Sequence, residues 1–237
     1  ASGTNWRFSR PYMGCYRVGR VRAPDLPVSM AMAASSAYPP FLAPYALRLD
    51  PARVEYTPGA DLYEVPALRS RAVLVDGGAY DNLALEAIDD RSAVVLASDG
   101  GGGLAVRTGA FNRWFDMVLR VLDTAVAQGR ALRRRALWTA LATGRCDGTI
   151  WRTATDITRY PAASPFPIEP DWREYLATIP TRMARHPDAE RFRLVNWGYV
   201  VCDVAMRSWV EKTAPPPSAL PFPEYPFDRP APVRRTA

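Results

Sequence analysis

Asp76 stands where a short apolar run, Ala72 to Val75, gives way to Gly77 and Gly78. A carboxylate at the end of a buried strand, followed by two glycines that let the backbone turn sharply, can take a proton from a hydroxyl or orient a base. The same Asp-Gly spacing also caps a helix or closes a turn, so local pattern leaves both roles open. Asp99 repeats the arrangement after Ala93 to Ala97, with glycines from Gly100 to Gly103. Backbone N–H groups of such a loop suit an anion, but neither GxGxxG nor GxxxxGKS/T is present, and a flexible loop is the plainer reading. Asp76, Asp81, Asp89, Asp90 and Asp99 offer the oxygen ligands that hard cations choose, yet without a recognised spacing they read as solvated helix ends.

The other reactive side chains narrow the chemistry. His186, the sole histidine, lies in RHPD next to a proline and reads as an exposed loop residue, so a Ser/His/Asp triad has little support. Acyl transfer would then need a serine activated by something else, and an aspartate is the available group. No serine occupies a GxSxG setting: Ser35 and Ser36 lie among alanines, and Ser98 has no glycine two residues away on both sides. Cys15, Cys146 and Cys202 show no CxxC or CxxH spacing, which argues against a zinc site or disulfide framework and for a reducing compartment.

The elements that must position these groups follow from periodicity. Thr4 to Ser9 alternates polar and aromatic residues as a strand does. Leu26 to Ala37, dense in Ala, Met and Ser, suits a tightly packed helix that Pro39 and Pro40 stop. Tyr45 to Leu49 reads as a short strand and residues 50–70 as an irregular connection. Strand Ala72 to Val75, helix Leu83 to Ile88 and strand Ala93 to Ala97 have the grammar of a parallel α/β sheet, whose functional groups gather at the carboxyl ends of strands. Phe111 to Leu141 is helical, with an interruption expected near Gly129. Gly148 to Ile157 reads as a strand, and Trp172 to Arg185 as a helix kinked or broken at Pro180. Asp188 to Lys212 is a further helix, opening after Pro187. The segment from Ala214 onward holds eight of the 23 prolines and reads as an extended tail.

Composition excludes several classes. At 48% hydrophobic and 23% charged residues, a 237-residue chain has a core to bury and is neither disordered nor fibrous. The uncharged stretch Leu26 to Leu47 is long enough to span a bilayer, but its four prolines and three serines exclude a membrane helix. Net charge is +6, carried by 29 Arg and one Lys, which reads as compositional bias. Arg130 and Arg133 to Arg135, with the Arg/Tyr/Trp-rich start, suit either a solvated face or contact with an anionic surface. No signal peptide is visible at ASGTNWRFSR.

Four segments together resemble bacterial patatin-like phospholipases: FSRPYMGCYRVG (Phe8 to Gly19), PDLPVSMAMAASSAYPPFLAP (Pro24 to Pro44), VLVDGGAYDNLALEAI (Val73 to Ile88) and VVLASDGGG (Val94 to Gly102). RTATDI, IPTRMARHPD and LVNWGYVVCDVAMRSWV are similar to the helical extension of a bacterial subgroup, so the likeness runs to about Lys212. The resemblance implies a patatin-like three-layer α/β/α fold, incomplete at its N-terminus, with a C-terminal helical extension. Residues 1–110 would be the carboxyl-terminal portion of the catalytic domain, 111–212 the extension and 213–237 a Pro-rich tail. It implies a lipid acyl hydrolase of phospholipase A type, working through a Ser/Asp dyad with no metal and no organic cofactor. Asp76 matches the dyad carboxylate and Gly77 and Gly78 the turn that exposes it, while Ala34 to Phe41 matches a segment packed beside the active site. The family's oxyanion loop and GxSxG serine precede the stretch that aligns with residues 1–3. The serine and the central strands are thus expected in a missing N-terminal segment of the same domain, and the isolated chain is expected to be inactive. The implied substrate is a phospholipid or other acyl lipid, with peripheral contact to an anionic membrane, no nucleic acid and a cytoplasmic setting. The alternative is a non-catalytic membrane- or partner-binding module. A metal-dependent phosphohydrolase built on the aspartates ranks below both.

Overall fold

A computed structural model describes residues 2–88, 93–102, 104, 113–180 and 184–233. Asp89, Asp90, Gly103 and Phe111, named above, lie outside the described residues. The chain is mixed α/β and divides into two units, residues 1–87 with 128–130 and residues 88–127 with 131–237.

The first unit is built on antiparallel pairing. Strands β1 (Arg7–Phe8), β2 (Tyr12–Cys15), β3 (Gly19–Arg22) and β5 (Val54–Glu55) form one sheet in the order β1-β2-β3-β5. A second sheet pairs β4 (Tyr45–Arg48) with β6 (Arg71–Leu74), in the register Tyr45↔Leu74 and Leu47↔Ala72. Alternation sends Met13, Val21, Leu47, Val54 and Ala72 to one core, with Trp6, Phe8, Tyr45 and Leu74 packed against it. Arg20 lies over the Tyr12 ring at 4.5 Å, a local use for part of the Arg/Tyr-rich start.

Helix α1 (Val28–Ser35) falls where the small-residue stretch places it, and ends before Pro39. It is not tightly packed: only Ala34 is buried, and Val28 and Met32 are 74% and 64% exposed. Helix α2 (Pro66–Ser70) leads into β6. The stretch after Asp76, expected to contain one helix, holds two single turns, α3 (Gly78–Asp81) and α4 (Leu85–Ile88), separated by Ala84 at φ 53°.

The strands on either side of this stretch have other partners. Among the described residues the strand before Asp76 pairs antiparallel with β4, while the strand after it, β7 (Val94–Asp99), belongs to a different sheet. Among the described residues the sheets do not include the expected parallel pairing of these two strands. Parallel pairing does occur, between β7 and β8 (Asp147–Arg152), in register from Val94↔Asp147 to Asp99↔Arg152. Gly148 permits the close approach, because at φ 131° a Cβ would strike the Val95 carbonyl.

The rest of the second unit is helical, with an irregular wall. Helix α5 (Trp114–Ala142) runs unbroken through Gly129, against the expected interruption; an isolated helix glycine costs only about 1 kcal/mol relative to alanine. Helix α6 (Asp171–Ala177) ends ahead of Pro180, and α7 (Asp188–Trp209) opens after Pro187 with Asp188 and Glu190 in its first turn. Helix α7 buries Trp197, Val200, Val201 and Val204 at helical spacing against Trp172, Leu176, Leu220 and Phe227.

Leu220 and Phe227 correct the reading of the Pro-rich segment as an extended tail. Its described residues form neither helix nor a strand of the sheets, yet Phe227 is fully buried and bridges to Ile168. Buried Asn196 donates to the Phe222 and Tyr225 carbonyls and accepts from the Phe222 N–H. Trp172 Nε1 donates to the Arg229 carbonyl at 2.6 Å. Prolines exclude regular pairing without excluding burial, and here side-chain amide and indole groups satisfy the carbonyls that a ladder otherwise would. Among the described residues no helix is long and apolar enough to cross a membrane.

Candidate active site

Asp76 sits one residue beyond Val75 at the carboxyl end of β6, half-buried. Two backbone hydrogen bonds bolt its turn to the end of α1: Asp76 N–H donates to the Ala37 carbonyl at 2.8 Å and Gly77 N–H to that of Ser35 at 3.1 Å. The small-residue stretch thus lies beside the turn that carries the carboxylate. A Cβ on Gly77 would come within 3.2 Å of Ser35 Oγ.

The carboxylate's two oxygens differ. Oδ1 accepts the Gly78 N–H at 2.6 Å, which fixes the side chain over the start of α3. At Gly78 a Cβ would stand 2.9 Å from that oxygen and 2.7 Å from Asn82 Oδ1, so one of these side chains would have to move. Among the described residues Oδ2 has no hydrogen-bond partner, and no serine, threonine or tyrosine hydroxyl donates to Asp76. Such a group closes its own turn and keeps one oxygen available to take a proton. The turn-closing and base roles, alternatives on sequence alone, are compatible in one side chain.

Asp81 and Asp99 are otherwise occupied. Asp81, buried, accepts Leu83 N–H and Glu86 N–H on its two oxygens and so caps α4. Asp99, 1% exposed, accepts Gly101 N–H at 3.1 Å on Oδ1, while Oδ2 lies 3.3 Å from Arg134 Nη1 and 3.5 Å from Arg152 Nε. Its glycine loop therefore serves the carboxylate. Among the described residues no three His, Cys, Asp or Glu side chains gather in a way that could hold a metal ion. His186 is not the exposed loop residue expected: it is 19% exposed and its Nδ1 lies 3.1 Å from Glu190 Oε2, whose Oε1 accepts from Tyr175.

The Asp99 pairing with Arg134 and Arg152 was not anticipated. The only signal for it in the sequence is weak, an aspartate at a strand end with arginines on later elements. Val75, which precedes Asp76 in the chain, is 48% exposed, while Ser35 Oγ and Asn82 Oδ1 lie near the two glycines that follow it. No protein-family model, curated protein or solved structure matches the chain.

Proposed function

We propose that this chain carries the acidic half of a patatin-like Ser/Asp acyl hydrolase, with Asp76 as the base and the serine supplied by polypeptide outside these 237 residues. The observation that carries the reading is the asymmetry of Asp76: one oxygen is spent on Gly78 N–H and the other has no partner among the described residues, at a strand end where functional groups collect. In the intact enzyme the serine Oγ attacks an ester carbonyl as Asp76 takes the hydroxyl proton. The proton then passes to the leaving alcohol, and an acyl-serine remains. Water, deprotonated by Asp76, attacks the acyl-serine, and the proton returns to Oγ as the acid is released. No metal or organic cofactor enters these steps. Exposed Val75, next to Asp76 in the chain, suits a phospholipid or other acyl lipid better than a charged substrate.

The same reading supplies the finer fold, a three-layer α/β/α sheet completed by the outside segment. Parallel strands are ordinarily covered on both faces, and β7 leaves Val94 and Leu96 about half exposed, at 48% and 49%.

The test compares the present chain with a version extended at its amino end through a GxSxG segment from the same reading frame. The present chain is expected to leave a nitrophenyl acyl ester untouched, and the extended protein to hydrolyse it. Asp76→Asn in the extended protein should lower kcat by about 10²–10⁴-fold, the usual contribution of a positioned base. Undiminished turnover by the extended Asp76→Asn protein overturns the assignment. Turnover by the present chain that Asp76→Asn abolishes overturns the claim that the nucleophile lies elsewhere.

A further inference from the structure

We propose that the exposed apolar face of α5 docks on an anionic phospholipid surface, with Trp114, Met117, Val118 and Val121 entering the headgroup boundary and with Arg113 at the helix start and Arg135 further along the same margin meeting phosphates. The inference stands apart from the reading of Asp76.

Residues 114, 117, 118 and 121 recur at helical spacing and share one face. On that face Trp114 is 77% exposed, Val121 60%, Val118 52% and Met117 45%, and Leu132 continues the stripe at 57%. The residues α5 buries, Leu137 and Ala140, lie on a different side of the helix, so the stripe is not the face that packs into the core. A contiguous exposed apolar stripe on a helix of this length marks an interaction site.

Charge selects the occupant. At about 100° per residue, Arg135 falls along one margin of the stripe with Arg120, and Arg113 stands at the helix start on the same side. Asp116 and Asp123, the acids of α5, fall behind it. Neither margin offers a carboxylate, so a second copy of this chain would bring arginine and no counter-charge. A phosphate surface supplies what is lacking, and guanidinium pairs with phosphate in bidentate fashion. A tryptophan at the end of the stripe suits the boundary between headgroup and acyl chain, where its ring is half apolar and half polar. The helix is too polar to cross a bilayer, which leaves it lying in the surface plane.

The whole chain is sedimented with vesicles of phosphatidylglycerol and phosphatidylcholine in equal parts, and with phosphatidylcholine alone. Binding is expected to the mixed vesicles only. It should weaken at least about ten-fold when salt rises from about 0.1 to about 1 M, as the screening length shrinks from about 10 to about 3 Å. Val118→Asp with Val121→Asp should abolish it; both sites are exposed, so the circular dichroism of the variant should match the parent. If that variant does not fold, Arg113→Gln with Arg135→Gln is used, and at least a five-fold loss on mixed vesicles is expected. Absence of binding at low salt, or binding that both variant pairs leave intact, overturns the proposal. So does a dimer in sedimentation velocity that the Val variant dissociates, which would assign the stripe to a second copy.

Discussion

Two aspartates end strands, precede glycines and accept the N–H two residues on, yet their second oxygens meet different surroundings. Asp76 takes Gly78 N–H on Oδ1 and stays half-buried with Oδ2 unengaged among the described residues; Asp99 takes Gly101 N–H on Oδ1 and buries Oδ2 between two arginines. The turn chemistry is shared, so it cannot be what decides the role. What decides it is whether a cation reaches the second oxygen. A buried carboxylate set between two guanidiniums is a structural piece, whereas one with an oxygen in reserve is open to a further partner.

The largest expected effect tests the structural member. Asp99→Asn keeps a carbonyl for Gly101 N–H but strips the charge facing Arg134 and Arg152, so urea unfolding should show a loss of about 3–5 kcal/mol. A loss below about 1 kcal/mol would mean the arginines are satisfied by solvent and the contrast drawn here is false. Next in size is Gly78→Ala, whose Cβ must displace Asn82 or the Asp76 carboxylate; about 1–3 kcal/mol of destabilisation is expected from the overpacking. Asp76→Asn keeps the acceptor for Gly78 N–H, so its unfolding midpoint should correspond to a change under about 1 kcal/mol, despite removing the proposed base. A loss as large as that of Asp99→Asn would show Asp76 to be structural too. Smallest is Gly77→Ala, where the neighbour at 3.2 Å is only the exposed Ser35 hydroxyl; about 0.5 kcal/mol or less is expected in the same measurement.

Local signals carried most of the element positions. Val28–Ser35 formed a helix stopped short of Pro39, Asp188–Trp209 opened after Pro187, and Tyr45–Arg48 and Val94–Asp99 formed strands, because spacing and proline geometry act within a few residues. Partner choice was not legible. The strand before Asp76 pairs with one well upstream and β7 with one about fifty residues downstream; period-two patterning says which face is apolar but not which strand supplies the neighbour. The break at Ala84 is a backbone feature, φ 53°, with no composition signal. At the site, Asp76, Gly77 and Gly78 were legible as a turn. The fastening to Ala37 and Ser35 joins residues some forty positions apart and had no local trace. Proline content concealed Phe227 for a different reason: composition reports what backbone pairing a segment can join, while its burial depends on Asn196 and Trp172, which lie far off in the sequence.

That last contact has a bearing on how the second unit is made. During synthesis α6 and α7 leave the ribosome well before Phe227, so the ring that fills the space beside Trp172 and Trp197 arrives after the walls that surround it. Until it does, two tryptophans and the valines of α7 stay uncovered on the nascent chain, a surface that chaperones bind and neighbouring chains can capture. A stop codon or a bulky fusion placed just ahead of Phe227 would hold the molecule in that state.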